Sequence, residues 1–371
     1  MMPAPWRRRT FLGAGLFGSS IPLLAACSAA DSPGPATSPG TAAGGSTSTP
    51  GFTPPDCVDL ADHEFVRGRT YCGDRGSDGS GDADMAPLDF HGPVAAAEGS
   101  IAAWYIDAVT EWDTATGEPT RLLAPKHADT WLFASRGEHT VVPACDGTLV
   151  VHADGCRVGE LPGGPGSVDG LCFVDDTRLV SLGTDDVLRL WDVPGGALLA
   201  SAEVAVGGAA RFLGHEPTTD ALRVSTPTSL TTFALPTLEV VDERIDLPTA
   251  GTGWSLTATG DLVGITDEPP ALTILGPGSG AADVVELNDG GGVLAVSATG
   301  RVAAVQGISL VVRDPDGTVA THRLQTSTYQ THAAAFSPDG RLVHVVDAVG
   351  GIQSVDVADG RRAVEYAPPR A

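Results

Sequence analysis

From about Val94 onward the chain repeats itself. A unit of roughly forty residues recurs, with inner-strand starts near Val94, Thr130, Val168, Ala209, Gly253, Gly292 and His332. The third unit is the clearest. It reads VDGLCFV, RLVSLG, VLRLWDV and ALLASAEV over residues 168–204, broken at Asp175-Asp176, Asp185-Asp186 and Pro194-Gly195-Gly196. The last unit repeats the scheme: HAAAF, then the turn Ser337-Pro338-Asp339-Gly340, RLVHVV, GIQSVDV, the turn Ala358-Asp359-Gly360, and RAVEYA. Short β-rich runs at even spacing, without a 3.6-residue apolar period, exclude a parallel α/β sheet. One four-stranded sheet cannot bury both of its faces alone. Seven packed radially can, which predicts an all-β chain, a seven-bladed β-propeller of four-stranded antiparallel blades.

At certain residues the repeat resembles the WD-repeat family. They are Trp112-Asp113 with Thr114 to Gly117, Trp191-Asp192, Phe336 to Gly340, and Arg313-Asp314 and Val355-Asp356 where the family often has Trp-Asp. The resemblance covers about residues 88 to 367 and implies a buried Asp-His-Ser-Trp network holding each blade's turns. Ser181, Asp185 or Asp186 and Trp191 match it in the third unit, where the histidine position holds Gly or Pro. His127 and Asp146 match in the second, where His152 takes the tryptophan position. The network is incomplete in every unit, so the propeller class is the firmer expectation. Propellers of this family complete their last blade with an N-terminal strand. Here the seventh unit owns four strands, and two routes stay open: Leu88 to Phe90 adding an edge strand, or closure by packing alone.

The N-terminus carries a second strong signal. Arg7, Arg8 and Arg9 precede Thr10-Phe11-Leu12, and a Gly- and Ser-diluted apolar stretch ends in Leu24-Ala25-Ala26-Cys27. A basic start, a short apolar run and small residues before a cut describe a signal peptide. Arg8-Arg9 resembles the twin-arginine export motif, and Leu24 to Cys27 is similar to a lipobox, in which the cysteine is acylated and anchors the chain. The expected organisation is a signal peptide at 1–26, lipidated Cys27 with a flexible Ser/Pro/Gly/Thr linker at 27–55, a Cys-bearing and acidic loop segment at 56–86, and the propeller at 87–371. That places the chain on the outer face of a bacterial cytoplasmic membrane, held by its lipid.

The charge balance narrows the partners. A formal net charge of −24 argues against nucleic acid, whose binding needs a basic footprint, and against docking on anionic lipid head groups. Five cysteines remain after Cys27. Cys57 and Cys72 lie together outside the repeats, and a disulfide between them would staple a segment with little core of its own. Cys172 falls in an inner strand as a buried free thiol. Cys145 and Cys156 flank one strand, whose length of about 20 Å keeps them from bonding to each other.

Candidate chemistry is sparse. Asp74, Asp78, Asp82 and Asp84 form a weak calcium candidate, but their spacing departs from an EF-hand and a solvated loop is the better account of them. The histidines form no HxH, HExxH or Cys/His cluster, so no metal is assigned. GxSxG, GxxxxGK[ST] and GxGxxG are missing, no catalytic residue is assigned and no cofactor is expected. The blade-structural set is Trp112, Asp113, His127, Asp146, Ser181, Trp191, Asp192 and Asp339. The expected function is a membrane-anchored, monomeric binding scaffold for a protein or cell-envelope ligand. Two alternatives stand beside it: a lactonase- or hydrolase-like propeller enzyme with a site at the central channel, and an extracytoplasmic metal or solute carrier.

Overall fold

The computed structural model describes residues 57–61 and 63 and most of residues 90–369. The repeat becomes seven antiparallel four-stranded sheets, each made of consecutive strands. Blade 1 is β1 (Phe90–Ala97), β2 (Ser100–Tyr105), β3 (Ala108–Asp113) and β4 (Pro119–Pro125). Blade 2 is β5 (Ala134–Arg136), β6 (His139–Pro143), β7 (Leu149–Ala153) and β8 (Cys156–Leu161). Blade 3 is β9 (Val168–Phe173), β10 (Arg178–Gly183), β11 (Val187–Asp192) and β12 (Ala197–Glu203). Blade 4 follows as β13 (Phe212–Glu216), β14 (Ala221–Ser225), β15 (Leu230–Ala234) and β16 (Glu239–Arg244). Blade 5 is β17 (Ala250–Leu256), β18 (Leu262–Asp267), β19 (Pro270–Leu275) and β20 (Ala282–Glu286). Blade 6 is β21 (Val293–Val296), β22 (Val302–Gln306), β23 (Ser309–Arg313) and β24 (Val319–Arg323). Blade 7 is β25 (Thr331–Phe336), β26 (Leu342–Asp347), β27 (Gly351–Asp356) and β28 (Arg362–Glu365).

Period-2 alternation sends successive residues of the middle strands to opposite neighbours. On β10, Leu179 packs with Leu149 and Val151 of blade 2, while Val180 and Leu182 pack with Leu222, Val224 and Phe233 of blade 4. Both faces of a blade are therefore apolar, and every pair of neighbouring blades shares one buried cluster. The first strands approach one another around the axis, and the fourth strands form the perimeter. Perimeter strands such as β12 and β16 are correspondingly exposed along most of their length.

Ring closure takes neither a borrowed strand nor bare packing alone. β1 pairs with β2 as the innermost strand of blade 1, so Phe90 does not extend blade 7. Ile101, Ala103 and Trp112 of blade 1 pack on Ala333, Ala335, Val346, Ile352 and Tyr366 of blade 7. The segment after β28 then clasps blade 1. Ala367 N donates to Gly117 O at 2.9 Å, and Trp112 Nε1 donates to Ala367 O at 2.8 Å. Gly117 has φ +75°, and a Cβ there would sit 2.5 Å from Glu365 O, so only glycine admits this approach.

Two cysteine assignments are corrected. Cys57 is bonded to Cys156, not to Cys72. Cys57 forms an isolated antiparallel bridge with Cys156, so the backbone of the segment before the ring lies against the β7–β8 hairpin. Nearness in sequence is a poor guide here, because the loop so closed spans 99 residues. Cys172 is buried as expected, yet it is disulfide-bonded and not a free thiol. Since Cys156 is taken by Cys57, it is not bonded to Cys145, in keeping with the strand between them.

Candidate functional site

The chain passes between two faces of the ring in every blade. The first face carries the turns from first to second strand and from third to fourth. The second carries the turns from second to third strand and the connections between blades. On the second face, blades 2 and 3 build a closely constrained surface. The connection Pro162 to Ser167 (PGGPGS) runs between the second-to-third turns of both blades. A Cβ on Gly147 would lie 2.3 Å and 2.4 Å from the carbonyl oxygens of Gly164 and Gly166, and one on Gly164 would lie 2.6 Å from Arg189 Cζ. The glycines of this stretch permit backbone and side chain to touch where any larger residue would hold them apart.

Around that wedge sit hydrogen-bonding groups. Thr184 N donates to Ser167 O at 2.9 Å, and Asp186 holds the left-handed turn position with φ 57°. Arg189 meets Asp185 in a forked pair, Nη2 to Oδ2 at 2.6 Å and Nη1 to Oδ1 at 3.1 Å. Hydrogen bonding from Arg189 keeps the Asp185 carboxyl below its ordinary range. Asp169 is the extra residue where the pairing of β9 and β10 shifts between Leu182 and Gly183, on the innermost strand. Burial, and then the charge of Asp186, raise its pKa. The surface thus offers a half-buried acid that feels the charge of Asp186 and, in the same blade, the fixed Asp185–Arg189 pair, groups suited to hydrogen-bonded recognition. Among the described residues, no group of three or more His, Cys, Asp or Glu could hold a metal.

A second polar group lies in the seam between blades 7 and 1. His344 Nδ1 and Ser354 Oγ are 2.7 Å apart, and Ser354 Oγ lies 2.7 Å from Tyr366 Oη. His344 and Ser354 are fully buried. Burial lowers His344 to about 4 and pushes Tyr366 up to about 12, so both are neutral at physiological pH. A serine and histidine sealed from solvent do not meet a substrate. They tie the end of β28 to β26 and β27.

The sequence-assigned residues hold turns and interfaces. Trp191 lies on β11, fully buried against blade 2, and its Nε1 donates to Ser181 Oγ at 2.9 Å. Asp192 supports the turn after β11, where a Cβ on Gly195 would lie 2.2 Å from its Oδ2. Trp112 closes the ring as described above. Asp113 Oδ1 accepts from Ala115 N and Thr116 N at 3.0 Å and 2.8 Å. Asp146 Oδ1 accepts from Thr148 N at 2.9 Å, and Asp339 Oδ1 from Arg341 N at 3.0 Å. Arg8, Arg9, Cys27, Cys72, Asp74, Asp78, Asp82, Asp84 and His127 lie outside the described residues. Asp169, Arg189 and the His344 group stand outside the motif points of the repeat. A signal for the last existed, because RLVHVV places histidine where RLVSLG of the third unit has Ser181.

No model of a known protein family matches the chain, and neither does any curated protein sequence. Among solved structures, a chain of the crystal structure of the mitotic checkpoint complex is similar to it. The TM-score is 0.58, the sequence identity 13%, and the match covers 72% of this chain and 91% of that one. At such identity the likeness is one of fold, and with the seven-sheet topology it identifies this chain as a seven-bladed β-propeller.

Proposed function

We propose that this protein is an exported, lipid-anchored binding scaffold on the outer face of a bacterial cytoplasmic membrane. The observation that carries the binding part is the second-face surface of blades 2 and 3. There contacts that only glycine admits set Thr184, Asp185 and Arg189 close against the backbone, and the half-buried Asp169 feels the charge of Asp186 in the same turn, which is the preorganisation that recognition profits from. The similar chain noted above comes from a multi-protein complex, which supports a macromolecular partner, a protein or a cell-envelope component. Arg8-Arg9 and Leu24-Ala25-Ala26-Cys27 support export and anchoring.

Two measurements test this. The N-terminal peptide of membrane-purified protein carries acyl mass on Cys27, and Cys27→Ala leaves the chain in the medium or as an unprocessed precursor. A wild-type peptide without lipid refutes the anchor. For binding, proteins crosslinked in membranes to the wild type are compared with those crosslinked to Asp169→Asn/Asp186→Asn. Loss of a partner at least tenfold, with an unchanged unfolding midpoint, is expected. An undiminished partner shows that binding lies elsewhere.

A further inference from the structure

Cys57 precedes the first strand of the ring, yet it is covalently fixed to blade 2. The two places where the preceding chain could join the ring lie on opposite faces. β1 starts on the second face, as the innermost strand beside the axis. Cys156 opens β8, the outermost strand of blade 2, at a third-to-fourth turn on the first face.

The junction at Cys156 is closely fitted. Val58 N donates to Gly155 O at 3.4 Å. Gly155 has φ +77°, and a Cβ there would lie 2.5 Å from Leu122 O of β4 and 3.3 Å from Val58 O. Arg121 of β4 pairs with Asp154 in the same hairpin. Residues 57–58, the blade 2 hairpin and the edge of blade 1 therefore meet at one point on the perimeter of the first face.

We propose that the Cys57–Cys156 bond sets how the ring stands on the membrane. It attaches the tether to the perimeter of the first face and turns the second face, with the Asp169–Asp186 surface, outward. The inference rests on the anchored reading above and says which face that reading leaves free. Without the bond the first attachment of the tether to the ring would be Phe90, where β1 opens on the second face. Cys57 stands 30 residues from Cys27 and Phe90 stands 63 residues from it, so the bond halves the length of chain between the lipid and the ring. The bond both shortens the chain between lipid and ring and moves its point of attachment from the second face to the first.

The test uses the full lipidated chain in phosphatidylcholine vesicles with an acceptor dye on the head groups. A donor dye is placed at Ala197, beside a first-face turn of blade 3, or at Thr184, in a second-face turn of the same blade; both residues are exposed. Energy transfer at least twofold stronger from position 197 is expected, and Cys57→Ser/Cys156→Ser should abolish the difference. Brief reduction of the wild type by a water-soluble phosphine checks the same point without a variant, since Cys57 is exposed and Cys172 buried. Protein that floats with the vesicles but transfers equally from both positions overturns the orientation alone. So does a difference that survives loss of the bond. Protein that fails to float overturns the anchored reading, and this inference with it.

Discussion

Single residues in this protein do one of two jobs, and burial separates them. The turn aspartates Asp113, Asp175, Asp316 and Asp339 accept backbone hydrogen bonds at the surface. At Asp175 the cost of burial is outweighed by bonds from Arg178 and Thr177, which hold its pKa near 2. The tryptophans do the other job. Trp104, Trp112, Trp191 and Trp254 are among the largest side chains with almost no exposure. Trp191 fills the interface between blades 2 and 3 and meets its one polar need at Ser181. Trp191→Ala should cost roughly 3–5 kcal/mol. Ser181→Ala, which strips the indole N–H of its acceptor, should cost about 1–3 kcal/mol. Urea denaturation midpoints measure both, and a Ser181→Ala change no larger than a surface substitution would show that the bond contributes nothing. This pair was readable in the repeat. Asp169 was not, because its perturbation arises from burial in the folded ring and then from the charge of Asp186 on another hairpin.

At the scale of elements one irregularity recurs. Opposite the tryptophan position of the third strand, the fourth strand carries one extra residue. It is Thr120 opposite Trp112, Val158 opposite His152, Leu199 opposite Trp191, Val241 opposite Phe233 and Ala363 opposite Val355. A bulge bends and twists the perimeter strand away from flat edge pairing, and it leaves Val158, Leu199 and Val241 exposed. The β3–β4 hairpin shows how an element outside the repeat logic becomes necessary. Its Gly117 receives the segment after β28, and neither its positive φ nor its space tolerates a side chain. Gly117→Ala should destabilise by more than the ~1 kcal/mol that a left-handed non-glycine residue costs. The loss should appear first as faster amide exchange in β1 and β28, before the core of blade 4. Uniform exchange across all blades would argue that the clasp is not a separable closure element.

For the whole molecule, the apolar clusters between neighbouring blades make a closed circle, so no blade keeps a free apolar face. The seam between blades 7 and 1 is the one joint made by the two ends of the repeat array, and it holds buried His344. Its pKa in the folded chain, about 4, lies below the 6.5 of an unfolded histidine. Its contribution is thus intact above pH 6.5 and is lost as pH falls from 6.5 to about 4, where the unfolded chain takes the proton first. The loss amounts to about 3 kcal/mol. Denaturation midpoints measured across that window should fall with pH, and His344→Ser, which places in blade 7 the residue blade 3 has there, should flatten the slope. An unchanged slope would mean that other groups govern it.

What the chain's order of residues determined was the architecture. Alternating apolar runs between Asp/Gly/Pro turns are local, each blade's strands are consecutive, and a blade apolar on both faces can only be buried by its own kind. Blade number and the placement of Trp191 follow from that. The tertiary structure alone decided how the ring closes, which thiols bond and which acid is perturbed. These depend on contacts between residues far apart in the chain. Gly117 meets Glu365, Cys57 meets Cys156 across 99 residues, and no period in a sequence encodes where two such points will touch.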